Sequence, residues 1–277
     1  MDIANSSVII PEEKILERKV KCMIISLLSQ SHEIMYRYKL RSMNAKKCFY
    51  IFSFGMIILG FGIQGFCQST KNEKSYQGKP FIDSKYKGGA QVLPGKLQCE
   101  CYDLGGEGVA FHDTDSINSG SGILNPADGS YLHEFRMNEA VDISYTKFQD
   151  PPIDNNAFNL VEPEKDQLYV GWTKPGEWTK YTVNVTEAGT YQLGLMFTSN
   201  KNGKISIAVN DKDATGLITI PSTANEKETV PWRNWHHWNS LDNMAQIELK
   251  KGIQTITLHT EELGDMNYDY INFKKIK

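Results

Sequence analysis

The stretch Tyr191-Gln192-Leu193-Gly194-Leu195-Met196-Phe197 decides the fold class. Its odd positions are large and apolar, and a period of two places that row of side chains on one buried face of a strand. Working outward, the same alternation recurs at 97–102, 141–145, 181–185, 205–209, 245–249, 255–258 and 268–273. Turn-forming residues separate these runs at Glu187-Ala188-Gly189, 200–203, Asn210-Asp211 and Lys250-Lys251-Gly252. Beyond residue 95 no segment repeats its apolar residues at the 3.6 spacing of a helix. Many short strands joined by short turns predict an all-β fold, a β-sandwich or barrel. The segments 104–140 and 146–168, rich in Gly, Asn, Asp and Pro, are expected as loops laid over it, where function usually sits. No internal repeat is present, so residues 96–277 are expected to form one domain.

The first 67 residues have a different character. Lys46 and Lys47 precede an apolar run over 49–63, and Gly65-Phe66-Cys67 offers small residues at the −3 and −1 positions before Gln68. This is the pattern of a secretory signal peptide over 43–67, cleaved after Cys67, with lipidation of Cys67 as the second alternative. Gly55, Gly60 and Gly62 interrupt a run already short for a membrane span, so no span is expected in the mature form. Residues 1–42 are expected as an upstream extension and 68–95 as a polar linker. The product is then exported, to a periplasmic, cell-surface or extracellular location.

Of the whole chain's 30 Lys+Arg and 33 Asp+Glu, residues 1–67 hold nine basic and five acidic side chains, leaving a formal charge of −7. An acidic exported domain argues against nucleic acid or an anionic membrane as partner. Cys99 and Cys101, the cysteines beyond residue 67, are spaced i, i+2; on one strand they point the same way and bridge poorly, so buried free thiols are expected.

All five tryptophans fall between Trp172 and Trp238. Trp172 precedes the Pro175-Gly176 turn, which puts it at a sandwich edge, while Trp178 opens the next strand and is expected in or near the core. Trp232, Trp235 and Trp238 recur at a spacing of three and cannot share one strand face. At least one must be exposed on a loop, where a flat indole suits the C–H face of a pyranose. A neighbouring amide such as Asn267 can donate to and accept from sugar hydroxyls. Glu100 and Gln98 near the first strand, with Asp269 on the last, are candidates for a structural cation site, against the plainer reading of solvent-facing strand ends. Glu107 with Asp113 or Asp115 is a candidate acid–base pair for glycoside hydrolysis. His112 and His236-His237 match no zinc-ligand spacing.

These residues resemble the family 6 carbohydrate-binding modules. The resemblance runs from about Leu97 to Ile276, on Leu97-Gln-Cys-Glu-Cys-Tyr-Asp103, Gly105-Gly-Glu-Gly-Val-Ala-Phe-His-Asp113, Val170-Gly-Trp-Thr-Lys-Pro-Gly-Glu-Trp178, Trp235-His-His-Trp238 and Met266-Asn-Tyr-Asp-Tyr-Ile271. It implies a two-sheet β-sandwich of jelly-roll type that binds a polysaccharide or oligosaccharide without catalysis, often beside a glycoside hydrolase or a surface glycan-degrading system. It assigns Trp172 and Trp235 to a clamp on one sugar ring, Asn267 to its polar partner and Glu107 to the same cleft. A structural Ca2+ would fall to Glu100, Gln98 and Asp269, with Gln98 where an acid is often found. Trp172 stands where the family commonly has Tyr, and the 222–234 loop is longer than usual and positioned to reshape the cleft. The alternatives are a glycosidase using Glu107 and Asp113, or an adhesion domain with no soluble glycan ligand.

Overall fold

The computed structural model describes residues 76–149 and 152–277. The signal peptide, Cys67 and the upstream extension lie outside the described residues. The early strands are short: β1 (Gln91–Leu93), β2 (Gly95–Gln98), β3 (Phe111–His112), β4 (Ser121–Gly122), β5 (Asn125–Pro126), β6 (Ile143–Tyr145) and β7 (Leu168–Val170). A single helical turn, α1 (Tyr131–Glu134), interrupts them. The later strands are β8 (Trp178–Val185), β9 (Gly189–Ser199), β10 (Gly203–Val209), β11 (Lys212–Asp213), β12 (Ile218–Ile220), β13 (Asn239–Leu249), β14 (Gly252–Glu262) and β15 (Met266–Lys275).

One sheet runs β1-β8-β14-β10-β11, with β12 beside β10 and β3 beside β8. The other runs β13-β9-β15-β7-β6, with β2 beside β15. Within these two sheets only β1 and β8 pair in parallel. The odd residues of the opening stretch behave as their period requires. Tyr191, Leu193, Leu195 and Phe197 share one core with Val183 of β8, Ile207 of β10 and Leu258 of β14. Each such side chain, fully buried, contributes about 1.5–3 kcal/mol, so the sheet-to-sheet interface dominates the stability of the β-sandwich.

Met196, at an even position, faces the other way and is buried too. It forms a second apolar cluster with Tyr169 and Trp238, against which Val161 packs. The segment after residue 152 supplies this cover: the N–H groups of Leu160 and Val161 both donate to the Trp238 carbonyl, at 2.8 and 3.2 Å. An outer sheet face is thereby closed at one end, and the open remainder of that end becomes the site described below.

Two expectations need correction. The strand foreseen over 97–102 ends at Gln98 and becomes a 3-10 turn, Cys99–Cys101. Gln91 explains this, because its Oε1 accepts the Gln98 N–H (2.7 Å) and its Nε2 donates to the Gln98 carbonyl (3.1 Å), taking backbone groups a longer ladder would need. Both cysteines are free and buried. The linker foreseen over 68–95 is part of the fold from Tyr76 onward. Tyr76 O–H donates to Asp103 Oδ2 (2.9 Å), Phe81 packs edge-on against Phe135, and β1 extends a sheet. These anchors are single apolar residues in polar surroundings and carry no period to be read.

Candidate functional site

Two chain segments build the site. The first is the exit from β7, where Trp172 takes a left-handed backbone conformation (φ 48°). An aromatic residue is seldom found there, and such a conformation costs on the order of 1–3 kcal/mol unless its neighbours over-determine it. Here they do. Gly171 N–H donates to the Asp142 carbonyl (2.9 Å) and Thr173 N–H to the Met266 carbonyl (3.1 Å). Between them, Trp172 N–H donates to Asn267 Oδ1 at 2.9 Å.

The second segment is the 222–234 loop, which ends in the 3-10 turn Pro231–Arg233. Arg233 anchors it from inside: its Nε donates to Glu228 Oε2 (2.8 Å) and its Nη2 to Glu228 Oε1 (3.1 Å). The spacing of three then distributes the tryptophans by depth. Trp232 is 58% exposed, Trp235 is half-buried and Trp238 is fully buried. Trp178 is half-buried against His259 on the other sheet, away from these three.

Trp172 and Trp235, 63 positions apart in sequence, line the same cleft of about 440 Å³. Trp232, Tyr145, Tyr169 and Lys147 complete its walls, with Leu124 at the rim. A volume of this order, apolar walls and a few polar groups are the usual properties of a small-ligand site. The long loop therefore does not close the cleft; it adds a third indole to it. Neither Tyr145 nor Lys147 is expected at a site from the sequence: alternation over 141–145 foretells a strand there, but not which side chains near its end reach a cleft.

Beneath the aromatic walls runs a buried hydrogen-bonded chain. Asn267 Nδ2 donates to Thr198 Oγ1 (2.8 Å) and to His236 Nδ1 (3.0 Å). That leaves the His236 hydrogen on Nε2, which donates to Asp154 Oδ1 (2.7 Å). The same Oδ1 accepts Trp238 Nε1–H (2.8 Å), and Asp154 Oδ2 accepts the Lys147 backbone N–H (2.7 Å). Asn267 thus joins the two walls, holding Trp172 on one side and the histidine next to Trp235 on the other. This corrects the expectation for Asn267: it is fully buried, lies behind the cleft, and its amide is already committed.

Glu107 is a second correction. It does not line the aromatic cleft; its carboxylate is half-exposed, contacts His112 Nδ1 and accepts the Asp113 N–H (3.1 Å). The loop 105–113 folds on itself, and Glu107 is spent there. Asp113 instead borders a separate cavity of about 20 Å³, with Asp142 and Glu177. Burial, then the neighbouring carboxylates, push the Asp113 carboxyl up to about 7. Burial does the same to Asp142, up to about 6. That cavity has room for about one water molecule, not a sugar ring.

Gln98, Glu100 and Asp269 do present a common feature. Gln98 Oε1, Glu100 Oε2 and Asp269 Oδ2 are each buried without a hydrogen-bond partner. Burial first, and the Glu100 charge second, push Asp269 up to about 8; burial pushes Glu100 up to about 8. Orphaned buried oxygens from two carboxylates and an amide fit a hard cation such as Ca2+. Among the described residues no cluster of three or more His, Cys, Asp or Glu is gathered for a metal.

Residues 154–275 match the family model for carbohydrate binding module (family 6). Strands β1–β6 precede that span; of these, β1 and β3 join one sheet, β2 and β6 the other, and β4 pairs with β5 apart from both. Among solved structures, a module from Clostridium stercorarium in complex with cellobiose is 14% identical, over 68% of this chain and 99% of its own, with a TM-score of 0.39. A carbohydrate binding module from Cellvibrio mixtus lichenase 5A in complex with cellotriose is 22% identical, over 40% of this chain and 79% of its own, with a TM-score of 0.31. No curated protein matches the chain.

Proposed function

With the family 6 match over residues 154–275 as premise, we propose that this sandwich binds a glycan, without catalysis, in the cleft between Trp172 and Trp235. The observation that carries this is the convergence of those two indoles, from distant segments, on one cleft with Trp232 and two tyrosines. Indole and phenol faces stack on the apolar C–H faces of sugar rings at little cost in side-chain entropy. The walls are held from behind by the Asn267 chain, so a ring would enter a preformed slot. The carboxylates of the glycosidase alternative, Glu107 and Asp113, do not line that slot.

The test is an affinity-gel or glycan-array screen of the full chain. Retention on one glycan class should fall about tenfold or more in Trp172→Ala and in Trp235→Ala, a loss of about 1.4 kcal/mol or more. Unchanged binding in both variants would refute the clamp. Under the same reading Gln98, Glu100 and Asp269 hold a structural Ca2+, whose charge would satisfy the three orphaned oxygens. The protein then acts outside the cytoplasm, its partners being a polysaccharide or oligosaccharide and an enzyme that degrades it. Among the described residues no helix is long and apolar enough to cross a membrane.

A further inference from the structure

Neutral sugars bring hydroxyl groups, and a site that holds them needs free acceptors as well as donors. In this cleft the strongest acceptors, a carboxylate and an amide oxygen, are already engaged. Asp154, 1% exposed, gives one oxygen to His236 and Trp238 and the other to the Lys147 backbone. Asn267 gives its oxygen to Trp172. Tyr145 donates its O–H to Nε2 of His133 (3.0 Å), whose Nδ1–H donates to the Pro126 carbonyl (3.0 Å).

What the walls offer instead is an ammonium. The Lys147 Nζ lies 4.7 Å from the centroid of the Tyr145 ring and donates to Asn125 Oδ1. Among the described residues no carboxylate pairs with it within salt-bridge distance, and unlike a surface lysine it is half-buried in the cleft wall. Burial lowers its affinity for a proton, and the field of nearby Asp154 opposes that only in part. A half-buried cation with no carboxylate at salt-bridge distance, only partly offset by Asp154 and set among stacking rings, leaves an electrostatic demand that an anionic ligand group meets.

We infer that the cleft is built for an acidic sugar, one whose ring stacks on Trp172 and Trp235 while its anionic substituent reaches the Lys147 ammonium. This rests on the glycan-binding reading and names the substrate class within it. The rest of the chain argues that such a preference is local. Residues 68–277 carry a formal charge of −7, so the protein has no general attraction for polyanions. The shared chemistry is a sugar bearing either a carboxylate or a sulfate ester.

The experiment is calorimetric titration of the full chain with two matched pairs of probes. One pair is an oligogalacturonate and its carboxyl-reduced neutral form; the other is a sulfated galactan oligosaccharide and its desulfated form. One acidic member should bind about tenfold more tightly than its neutral partner, and which pair shows this distinguishes carboxylate from sulfate. Lys147→Gln should abolish the preference and Lys147→Arg should keep it. The preference should shrink as salt rises from 50 to 500 mM, values chosen to shorten the screening length well below the cleft's dimensions. If acidic and neutral members bind equally, and binding still depends on Trp235, the inference is overturned and the glycan-binding reading stands. If no probe of either kind binds, and a wider glycan array also gives none, both are overturned. Should Lys147→Gln fail to fold, the wild-type preference within each pair and its salt dependence decide the question.

Discussion

Asn267 is the residue on which the cleft turns. Its one side chain makes three buried hydrogen bonds, to Trp172, Thr198 and His236, and so fixes a left-handed tryptophan and a histidine in a single operation. Truncation strands all three partners in the interior, where each unsatisfied group costs about 1–3 kcal/mol. We therefore expect Asn267→Ala to lower unfolding stability by about 2–4 kcal/mol in urea, and to weaken glycan binding while Trp172 and Trp235 remain intact. A variant of normal stability with lost binding would instead place the amide in direct contact with the ligand. That Trp172 and Trp235 would share a cleft was legible from their motifs, but the position of Asn267 behind it was not. A motif says which residue types recur together; it does not say whether an amide faces the ligand or the back of the wall. Glu107 fails for a related reason, since a glycine-rich loop can fold its own acid inward onto a histidine five residues away.

Among the elements, the long strands announced themselves and most of the short ones did not. β9, β14 and β15 are ten or eleven residues long, and a period of two is unmistakable over such a length. β1, β3, β4, β5 and β7 are two or three residues each, too short for any period, although β1, β3 and β7 help complete the two sheets, while β2 and β6 overlap runs whose alternation could be read. The 222–234 loop is an element without regular structure, and one ion pair organises it. Arg233 and Glu228 are both largely buried and joined by two hydrogen bonds. Arg233→Met should leave the Glu228 carboxylate unpaired and cost about 2 kcal/mol, less than in a deep core because solvent lies close by. Trp232 and Trp235 should lose their fixed positions as a result. The readout is faster amide hydrogen exchange confined to this loop, with glycan affinity reduced several-fold; unchanged exchange would show that the loop is held by other means.

For the whole molecule, the proposed Ca2+ site would link cation binding to protonation through Glu100 and Asp269. Their folded-state pKa values, about 8 each, exceed those of the unfolded chain. The folded cation-free protein thus binds more protons than the unfolded one between roughly pH 4 and 8, and the stability this confers is lost as pH rises through 8. Asp113, up to about 7, acts in the same direction with or without cation. His237 and His259, lowered by burial, act in the opposite direction at lower pH, so the clean window lies above pH 6.5. In chelator, Tm should fall between pH 6.5 and 8.5. With millimolar Ca2+ the fall should be smaller, so that the Tm gain from Ca2+ is larger at pH 8.5 than at pH 6.5. Equal Tm in Ca2+ and chelator throughout would remove the cation from the account. The β-sandwich architecture could be foreseen because alternation and turn chemistry are local. The reach of the fold back to Tyr76 could not, because it depends on one phenol finding Asp103 and one ring finding Phe135. The amide bridge between the two walls carries a kinetic consequence as well. A slot whose sides are tied together has no opening and closing step to complete, so a sugar should enter in a single exponential phase whose rate rises linearly with sugar concentration, with no plateau, and differences in tightness between sugars should appear in how long each stays.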